Sequence, residues 1–324
     1  MKAIVQTRYG SPDTCTLEDV DDPVPASGEV TVRIRAASLN ARDWHLMRGD
    51  PYLARLAPGF GLRAPTLRIR GSDFAGTVEA VGSDVTRLHV GDEVYGLRDG
   101  ALAEYVCAPE SLVTRKPSNL TFEQAAAMPM AGMTALQGLQ GRVGAGQRIL
   151  INGASGGVGT FAVQLAHAWG AEVTAVCSTR NVDLVRSLGA DHVVDYTRDD
   201  ALRAGHRYDV LFDLVANRSL RDLRRALTPT GTLILSGGGV FDGGSVLGPI
   251  GLLLRSKLTA PFVGQEVVAL STKPGAEHLD TLRDLAEAGT IVPAIDRTYP
   301  LPAAADALRY LESEHARAKV VVTI

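Results

Sequence analysis

The stretch RILINGASGGVGTFAVQLAHAW, residues 148–169, decides the fold. It opens on the apolar strand pattern Arg148-Ile149-Leu150, turns through INGASGGVG at 151–159, and continues as TFAVQLAHAW with the period of a buried helix. Glycines between a strand and a helix let backbone N–H groups approach a pyrophosphate. Gly159 lets the helix pack close to its strand, with the positive end of its dipole toward the phosphates. The spacing is that of GxGxxG with Ala154 in the first glycine place and Gly156 and Gly159 in the others. Taken alone, the turn reads as a dinucleotide cradle or as a glycine-rich turn with no ligand.

The next strand favours the cradle. EVTAVCS at 172–178 ends about twenty residues after the motif, where a site for NAD carries Asp or Glu to hold the ribose diol. This chain has Ser178, Thr179 and Arg180 there: two hydroxyls and a guanidinium, which suit a 2′-phosphate and present no carboxylate to repel it. NADP(H) is expected rather than NAD(H). The alternative is that Ser178 or Thr179 only caps a helix beginning near Asn181.

Downstream, strand and helix patterns alternate: EVTAVC, VDLVRSLG, HVVDY, a short helix, DVLFDLV, SLRDLRRALT, TLILSGGG and a sixth strand, FVGQEVVAL. Alternation with continuous apolar strands predicts an α/β doubly wound parallel sheet covered on both faces. Upstream, residues 1–120 read as short strands joined by turns, KAIVQT, EVTVRIRAASL, FAGTVEAVG, DEVYG and ALAEYVCA, which predicts a β-rich, barrel-like domain. At Thr121 the pattern changes, because Thr121 and Gln124 make a capping box and open a helix with a kink at Pro129. After two further helix patterns, EHLDTLRDLAEAG and PAAADALRYLES, the closing strand KVVVTI is expected to return to the first domain. The expected division is 1–121 with 268–324 for the β-rich domain and 122–267 for the nucleotide-binding domain, with the active site in the cleft between them.

A chain of 324 residues, 45% hydrophobic and 21% charged, suits a soluble two-domain protein rather than a disordered one. A net charge of −3 draws the surface as a whole toward neither nucleic acid nor anionic lipid. The opening MKAIVQTRYG lacks the apolar core of a signal peptide, and VLGPIGLLL at 246–254 is too short and interrupted for a membrane span. Cys15, Cys107 and Cys177 show no CxxC spacing and read as reduced thiols of a cytoplasmic protein. Arg218, Arg221, Arg224 and Arg225 fall at helical spacing and read as a solvated helix face.

In order, MKAIVQTRYG, SLNARDW (38–44), GSDFAGTVEAVG (71–82), VGDEVYG (90–96), AEYV (103–106), AAAMPMAGMTAL (125–136), INGASGGVG, LGADHVVDY (188–196) and HARAKVVV (315–322) span the whole chain. Together they resemble the medium-chain dehydrogenase/reductase superfamily and, within it, the zinc-free quinone oxidoreductase (zeta-crystallin-like) branch. The resemblance implies a GroES-like β-barrel domain plus a Rossmann domain, usually as a homodimer. It implies that Asn40 and Asp43 lie near the nicotinamide, that Tyr52 borders the substrate pocket, and that Thr134 lies near the nicotinamide ribose. Ala154, Ser155, Gly156, Gly157, Val158 and Gly159 would cradle the pyrophosphate, and Arg180 and Tyr196 would flank the 2′-phosphate. The Gly237–Gly239 turn and the backbone of Val263 would face the nicotinamide end, with Lys319 or Arg317 close by.

Zinc members of the superfamily carry a Cys in the first-domain loop and a His-Glu pair after the following glycine. Here those places hold Asn40 to Trp44 and Gly71-Ser72-Asp73, and Gly96 runs directly into LRDGALAEYV, without a four-cysteine lobe. No metal is expected; His45 and His89 read as surface or packing residues. Without a metal to stabilise an alkoxide, the expected substrate is a small molecule that is its own electron sink, a quinone or an α,β-unsaturated carbonyl, and the protein mainly positions it. The alternatives are an enoyl-thioester reductase, which needs a larger basic groove, and a non-catalytic NADPH-binding or redox-sensing protein. Asn40 and Asp43 are also readable as caps of the turn around Trp44, and Asp73 as fixing a turn. The segment LARLAPGFGLRAPTLRIR after Tyr52 is readable as a substrate lid or as a packing loop. Many relatives have a proline after the loop asparagine; this chain has Ala41.

Overall fold

The computed structural model describes residues 1–57, 59–203, 205–237, 244–248, 251–252, 256, 264–313 and 317–324. The chain divides into two compact units, the first comprising 1–133, 241–246 and 273–324 and the second 134–240 and 247–272.

The first unit begins with an antiparallel pair, β1 (Lys2–Val5) and β2 (Thr16–Asp19). Its spine is β3 (Glu29–Leu39), in which alternate Val30, Val32 and Ile34 are buried and the last four residues are buried on both sides. Helix α1 (Ala41–Arg48) follows, then β4 (Asp73–Val81), β5 (Glu93–Leu97), β6 (Tyr105–Pro109) and β7 (Val113–Arg115). β3 pairs antiparallel with β4 along one edge and with β6 along the first half of the other. Helices α2 (Phe122–Ala126) and α3 (Pro129–Leu139) come next, broken at the proline as the sequence predicts. Thr121 caps α2, its hydroxyl accepting the Gln124 N–H at 3.3 Å while the Gln124 side chain takes the Thr121 N–H at 3.0 Å.

The second unit is a six-stranded parallel sheet. Its elements are β8 (Arg148–Asn152), α4 (Gly157–Ala168), β9 (Glu172–Cys177), α5 (Val182–Ser187), β10 (His192–Asp195), β11 (Tyr208–Asp213), α6 (Leu220–Arg225), β12 (Leu227–Leu235) and β13 (Glu266–Ala269). The order β10-β9-β8-β11-β12-β13 puts the first strand in the middle and reverses direction between β8 and β11, the place where such sheets open a crevice at their carboxyl ends. The chain then returns to the first unit as α7 (Ala276–Glu287), β14 (Ile295–Pro300), α8 (Ala304–Ser313) and β15 (Lys319–Thr323). β15 lies antiparallel against the second half of β3, completing a seven-stranded sheet.

Both expected boundaries move. Residues 122–133 belong to the first unit because α2 packs on β3, β4, β5 and β15, with Ala125 and Ala126 fully buried. The second unit runs on to Thr272 because the strand hydrogen bonding of β13 continues through Leu270 N–H to Leu235 O at 2.8 Å.

Polar bonds from buried positions fix α7 in the first unit. The Tyr95 hydroxyl, pushed up in pKa by burial, donates to Leu279 O at 2.6 Å, and Thr114 Oγ1 donates to Asp280 Oδ1 at 2.5 Å. Leu279 O keeps its place in the helix ladder when the phenol is removed, so Tyr95→Phe is expected to cost only about 1 kcal/mol, whereas Tyr95→Ala opens a cavity and costs about 3–5 kcal/mol. Urea unfolding of the two variants checks the difference.

Candidate functional site

In the second unit the glycine-rich turn is shaped by its backbone. Ala154 is buried and its N–H bonds Val176 O at 3.0 Å, tying the turn to β9. A Cβ at Gly159 would stand 2.2 Å from Gly153 O and 2.6 Å from the Ala154 carbonyl, so the fold itself demands glycine there. At Gly156, the residue before α4, a Cβ would meet nothing nearer than Gly153 O at 3.4 Å. Packing leaves room there for a ligand to approach the backbone. The first-turn N–H groups of α4, from Gly157, Val158 and Gly159, have no acceptor within the helix. These features fit a pyrophosphate.

The end of β9 is joined to this turn by a residue the sequence reading missed. Asn181, almost wholly buried, donates from Nδ2 to Ser155 Oγ at 2.9 Å and to Ser178 Oγ at 3.2 Å, and its Oδ1 is buried without a hydrogen-bond partner. Neither Ser178 nor Thr179 caps a helix with its side chain. Thr179 Oγ1 instead donates to Asp195 Oδ2 at 2.5 Å, which holds that carboxyl below the usual range. A carboxyl from the neighbouring strand therefore lies beside the end of β9, since Asp195 pairs with Cys177 in register. Its charge is shared with Thr197 Oγ1 at 2.8 Å and Arg198 Nε at 3.7 Å. Arg180 and Tyr196 are exposed at the same edge. Thr134 Oγ1 lies 2.9 Å from Thr272 Oγ1, and Gly237 follows β12 with φ +70°. Val263, Gly238 and Gly239 lie outside the described residues.

The first unit holds a buried polar cluster. Adjacent strands β15, β3 and β4 bring it together: Val320 pairs with Leu39 and Ser38 pairs with Asp73, so Lys319, Asn40 and Asp73 meet at one level of the sheet. Lys319 Nζ donates to Asn40 Oδ1 at 2.6 Å and to Leu39 O at 2.9 Å and lies 3.6 Å from Asp73 Oδ2. The same Asp73 oxygen accepts Asn40 Nδ2 at 2.9 Å, Ser38 Oγ at 3.3 Å and the Met130 N–H at 3.3 Å. Asp73 Oδ1 is buried without a partner. Burial pulls the Lys319 ammonium down and pushes the Asp73 carboxyl up, each countered by the other's charge.

Asp43 is the second carboxyl of this cluster. Its Oδ2 takes the Asn40 N–H at 2.7 Å, one half of a capping box on α1, while the Asn40 side chain is committed to Lys319 and Asp73. Capping and the polar cluster therefore share the same two residues. Burial above all, then the charge of Asp73, raises the Asp43 carboxyl to about 6 against the opposing pull of the Asn40 N–H, Arg42 and Lys319.

Asn40, Asp43 and Lys319 come together; Tyr52 joins them through no hydrogen bond. It is 49% exposed, its N–H bonds Ser245 O at 2.8 Å, and the Arg55 guanidinium lies 4.8 Å from its ring. Arg317 bonds Asp296 Oδ1 from Nε at 3.1 Å. Ser38 is a functional candidate that sequence reasoning passes over, and Asp73 one that it reads as fixing a turn, because only pairing between β3 and β4 reveals their proximity. His45 stacks on Trp44 and has Nδ1 2.8 Å from Asp50 O, a packing role, and His89 is exposed.

A dinucleotide cradle on a β10-β9-β8-β11-β12-β13 sheet, in one chain with a β-rich unit whose strands β3, β4 and β15 enclose a charged cluster, defines a dehydrogenase/reductase of two-unit architecture. The chain belongs to the medium-chain dehydrogenase/reductase superfamily, in its quinone oxidoreductase branch. Residues 26–118 match the family described as "Alcohol dehydrogenase GroES-like domain" and residues 188–322 that described as "Zinc-binding dehydrogenase". The chain is 34% identical to the chloroplast envelope quinone oxidoreductase homolog of Arabidopsis thaliana, over 99% of this chain and 98% of that protein. It is 35% identical to the NADPH-dependent alkenal/one oxidoreductase of the same plant, over 99% and 79% respectively. The quinone oxidoreductase structure from Coxiella burnetii superposes with a TM-score of 0.86 at 30% identity, covering 100% of this chain and 99% of that one. Among the described residues no three His, Cys, Asp or Glu side chains are placed to hold a metal ion, and no helix is long and apolar enough to cross a membrane.

The Asp43 carboxyl generates a pH dependence. Its folded pKa of about 6 exceeds the ordinary 3.8, so the folded protein binds this proton more tightly than the unfolded chain. Stability is full below about pH 4 in this respect and falls as the pH rises to about 6, by an amount on the order of 3 kcal/mol. Asp43→Asn keeps an acceptor for the Asn40 N–H and is expected to remove this falling limb. Unfolding free energies measured from pH 4 to 7 for both proteins check it: parallel curves would assign the slope to other groups.

Proposed function

We propose that the chain is an NADPH-dependent, zinc-independent reductase of quinones or α,β-unsaturated carbonyls. The observation that carries this reading is the cradle at the start of α4, where Gly159 closes the turn against Gly153 and Gly156 leaves the backbone accessible. The names of the relatives, quinone oxidoreductase and NADPH-dependent alkenal/one oxidoreductase, support the choice of acceptor. Bound NADPH supplies a hydride, and a conjugated substrate carries its own sink for the electron pair.

The chain's residues bind and orient. The N–H groups of Gly157, Val158 and Gly159 hold the pyrophosphate with the helix dipole behind them. Arg180 meets the 2′-phosphate with Ser178 and Tyr196 beside it, while Thr179 is spent on Asp195 and keeps that carboxylate turned to a hydroxyl. Thr134 and Gly237 line the approach to the nicotinamide ribose. Asn40 is held at both ends of its amide by Lys319 and Asp73 and forms a fixed polar wall beside Asp43. The half-exposed Tyr52 borders the substrate. The reading takes the protein as a cytoplasmic homodimer, on the strength of the resemblance and the reduced thiols.

The test is NADPH oxidation with a panel of quinones, enones and enoyl thioesters, before and after exhaustive chelation. Turnover of quinones or enones that survives chelation is expected; turnover of thioesters alone, or loss of activity with a stoichiometric metal, overturns the reading. Arg180→Ala is expected to weaken NADPH by about tenfold or more and to leave NADH nearly unchanged. Equal losses would remove Arg180 from the 2′-phosphate. Asn40→Ala and Tyr52→Phe are expected to slow a reactive quinone on the order of tenfold, against about 10²–10⁴-fold for loss of a true acid, with less activated enones suffering more. Steady-state rates at saturating NADPH for both substrate types decide between positioning and proton donation.

A further inference from the structure

The parallel sheet has a second end, and it is strongly basic. Arg207 immediately precedes β11, Gln265 immediately precedes β13, and Arg221, Arg224 and Arg225 come from α6. Together they line an open surface cavity of about 370 Å³, at which Arg207, Arg221 and Arg225 are exposed. The glycine-rich turn leaves the carboxyl end of β8, so the two features lie at opposite ends of the same strands, roughly 15–20 Å apart along a strand of this length. The phosphates of a dinucleotide in the cradle do not reach it.

Two of the four arginines build the cavity and two are left to serve it. Arg207 Nη1 donates to Arg225 O and, at 3.1 Å, to Leu227 O. Arg224 Nε donates to Gln265 Oε1 at 3.0 Å, and Gln265 Nε2 returns bonds to Arg224 O at 2.9 Å and Thr228 O at 3.1 Å. The carbonyls at the end of α6, which would repel an anion, are thereby covered by donors. Arg225 has one carboxylate, Asp222, at 3.9 Å, and Arg221 has no hydrogen-bond or ion-pair partner among the described residues. Arg218, the fourth member of the sequence run, turns instead to Asp200 at 3.3 Å and stays outside the cavity. Arg218 thus parts from the other three members of the run, of which Arg221 and Arg225 stay exposed, and Arg207 joins them from the start of β11.

We propose that this cavity is a binding site for a small polyphosphate anion, separate from the dinucleotide cradle. Four guanidinium groups around one space, with a single carboxylate in reach among the described residues, repel one another, and an anion of two or more charges relieves that repulsion. The planar donor fork of arginine matches phosphate oxygens, and arginine binds them bidentately. An open depression of this volume admits a pyrophosphate group. The shared chemistry is a pyrophosphate, either free or at the end of a larger metabolite.

The test is isothermal titration of the whole protein with inorganic pyrophosphate and, separately, with a nucleoside diphosphate, in saturating NADPH so that the cradle is filled. One saturable site per chain is expected. Arg221→Ala combined with Arg225→Ala is expected to weaken it by about tenfold or more, and Arg218→Ala by less than about twofold. NADPH affinity should stay unchanged in both variants and thermal unfolding should shift only slightly, since the pairs removed, Arg225–Asp222 at 3.9 Å and Arg218–Asp200 at 3.3 Å, are partly exposed and contribute little. Tighter binding of the nucleoside diphosphate identifies a larger metabolite, and equal binding identifies the free anion; both sustain the site. Absence of saturable binding, or binding that the double variant leaves intact, overturns it. So does a polyglutamate peptide that binds more tightly than pyrophosphate and is lost in the double variant, which would make the face an acidic-protein surface.

Discussion

One buried ammonium holds the β-rich unit to its register. Lys319 is 2% exposed, and its Nζ reaches a backbone carbonyl, an amide oxygen and a carboxylate drawn from β3 and β4 or the residue following β3. An unpaired charge at such a site costs several kcal/mol, and removal of either partner of a buried pair is more damaging than replacement of both. A slip of β15 by one residue would turn Lys319 to the other face of the sheet and leave Asp73 without its cation. The closing strand of the chain is thus specified by charge as well as by the apolar run Val320, Val321 and Val322.

The same bonds explain why Asn40 and Asp43 resist assignment to either structure or chemistry alone. Asn40 begins α1, and Asp43 takes its N–H as a helix-capping residue would. Yet the Asn40 side chain also bridges Lys319 and Asp73, and the capping carboxyl is itself buried deeply enough to carry a raised pKa. A surface cap would be cheaper for folding. On the function proposed here, groups preorganised and out of water would hold a polar substrate in one orientation, which is the contribution expected of a protein whose substrate brings its own electron sink.

The second unit is built on the opposite principle. Its cradle uses backbone N–H groups and the steric demand at Gly159, with side chains such as Asn181 and Asn152 only bracing the turn: Asn152 Nδ2 bonds Asp213 Oδ1 at 2.8 Å across the switch between β8 and β11. Backbone sites leave a compositional trace, the glycines. Side-chain sites such as the arginine cavity leave none that is unambiguous, because Arg207 and Gln265 enter it from the starts of β11 and β13, outside α6.

What the sequence determined by itself was local. The capping box at Thr121, the break at Pro129, the glycine turn and most of the strand and helix periodicity are set by residues within a few positions of one another and appear where the pattern places them, whereas the short helix expected between β10 and β11 is absent among the described residues. The tertiary structure alone decided that 122–133 packs with the first unit, that Asp195 meets Thr179, and that Asp73 and Ser38 join Asn40 and Lys319. Those pairings depend on strand order and register, and a chain that places partners 16 to 280 residues apart side by side records them in no short stretch of its sequence.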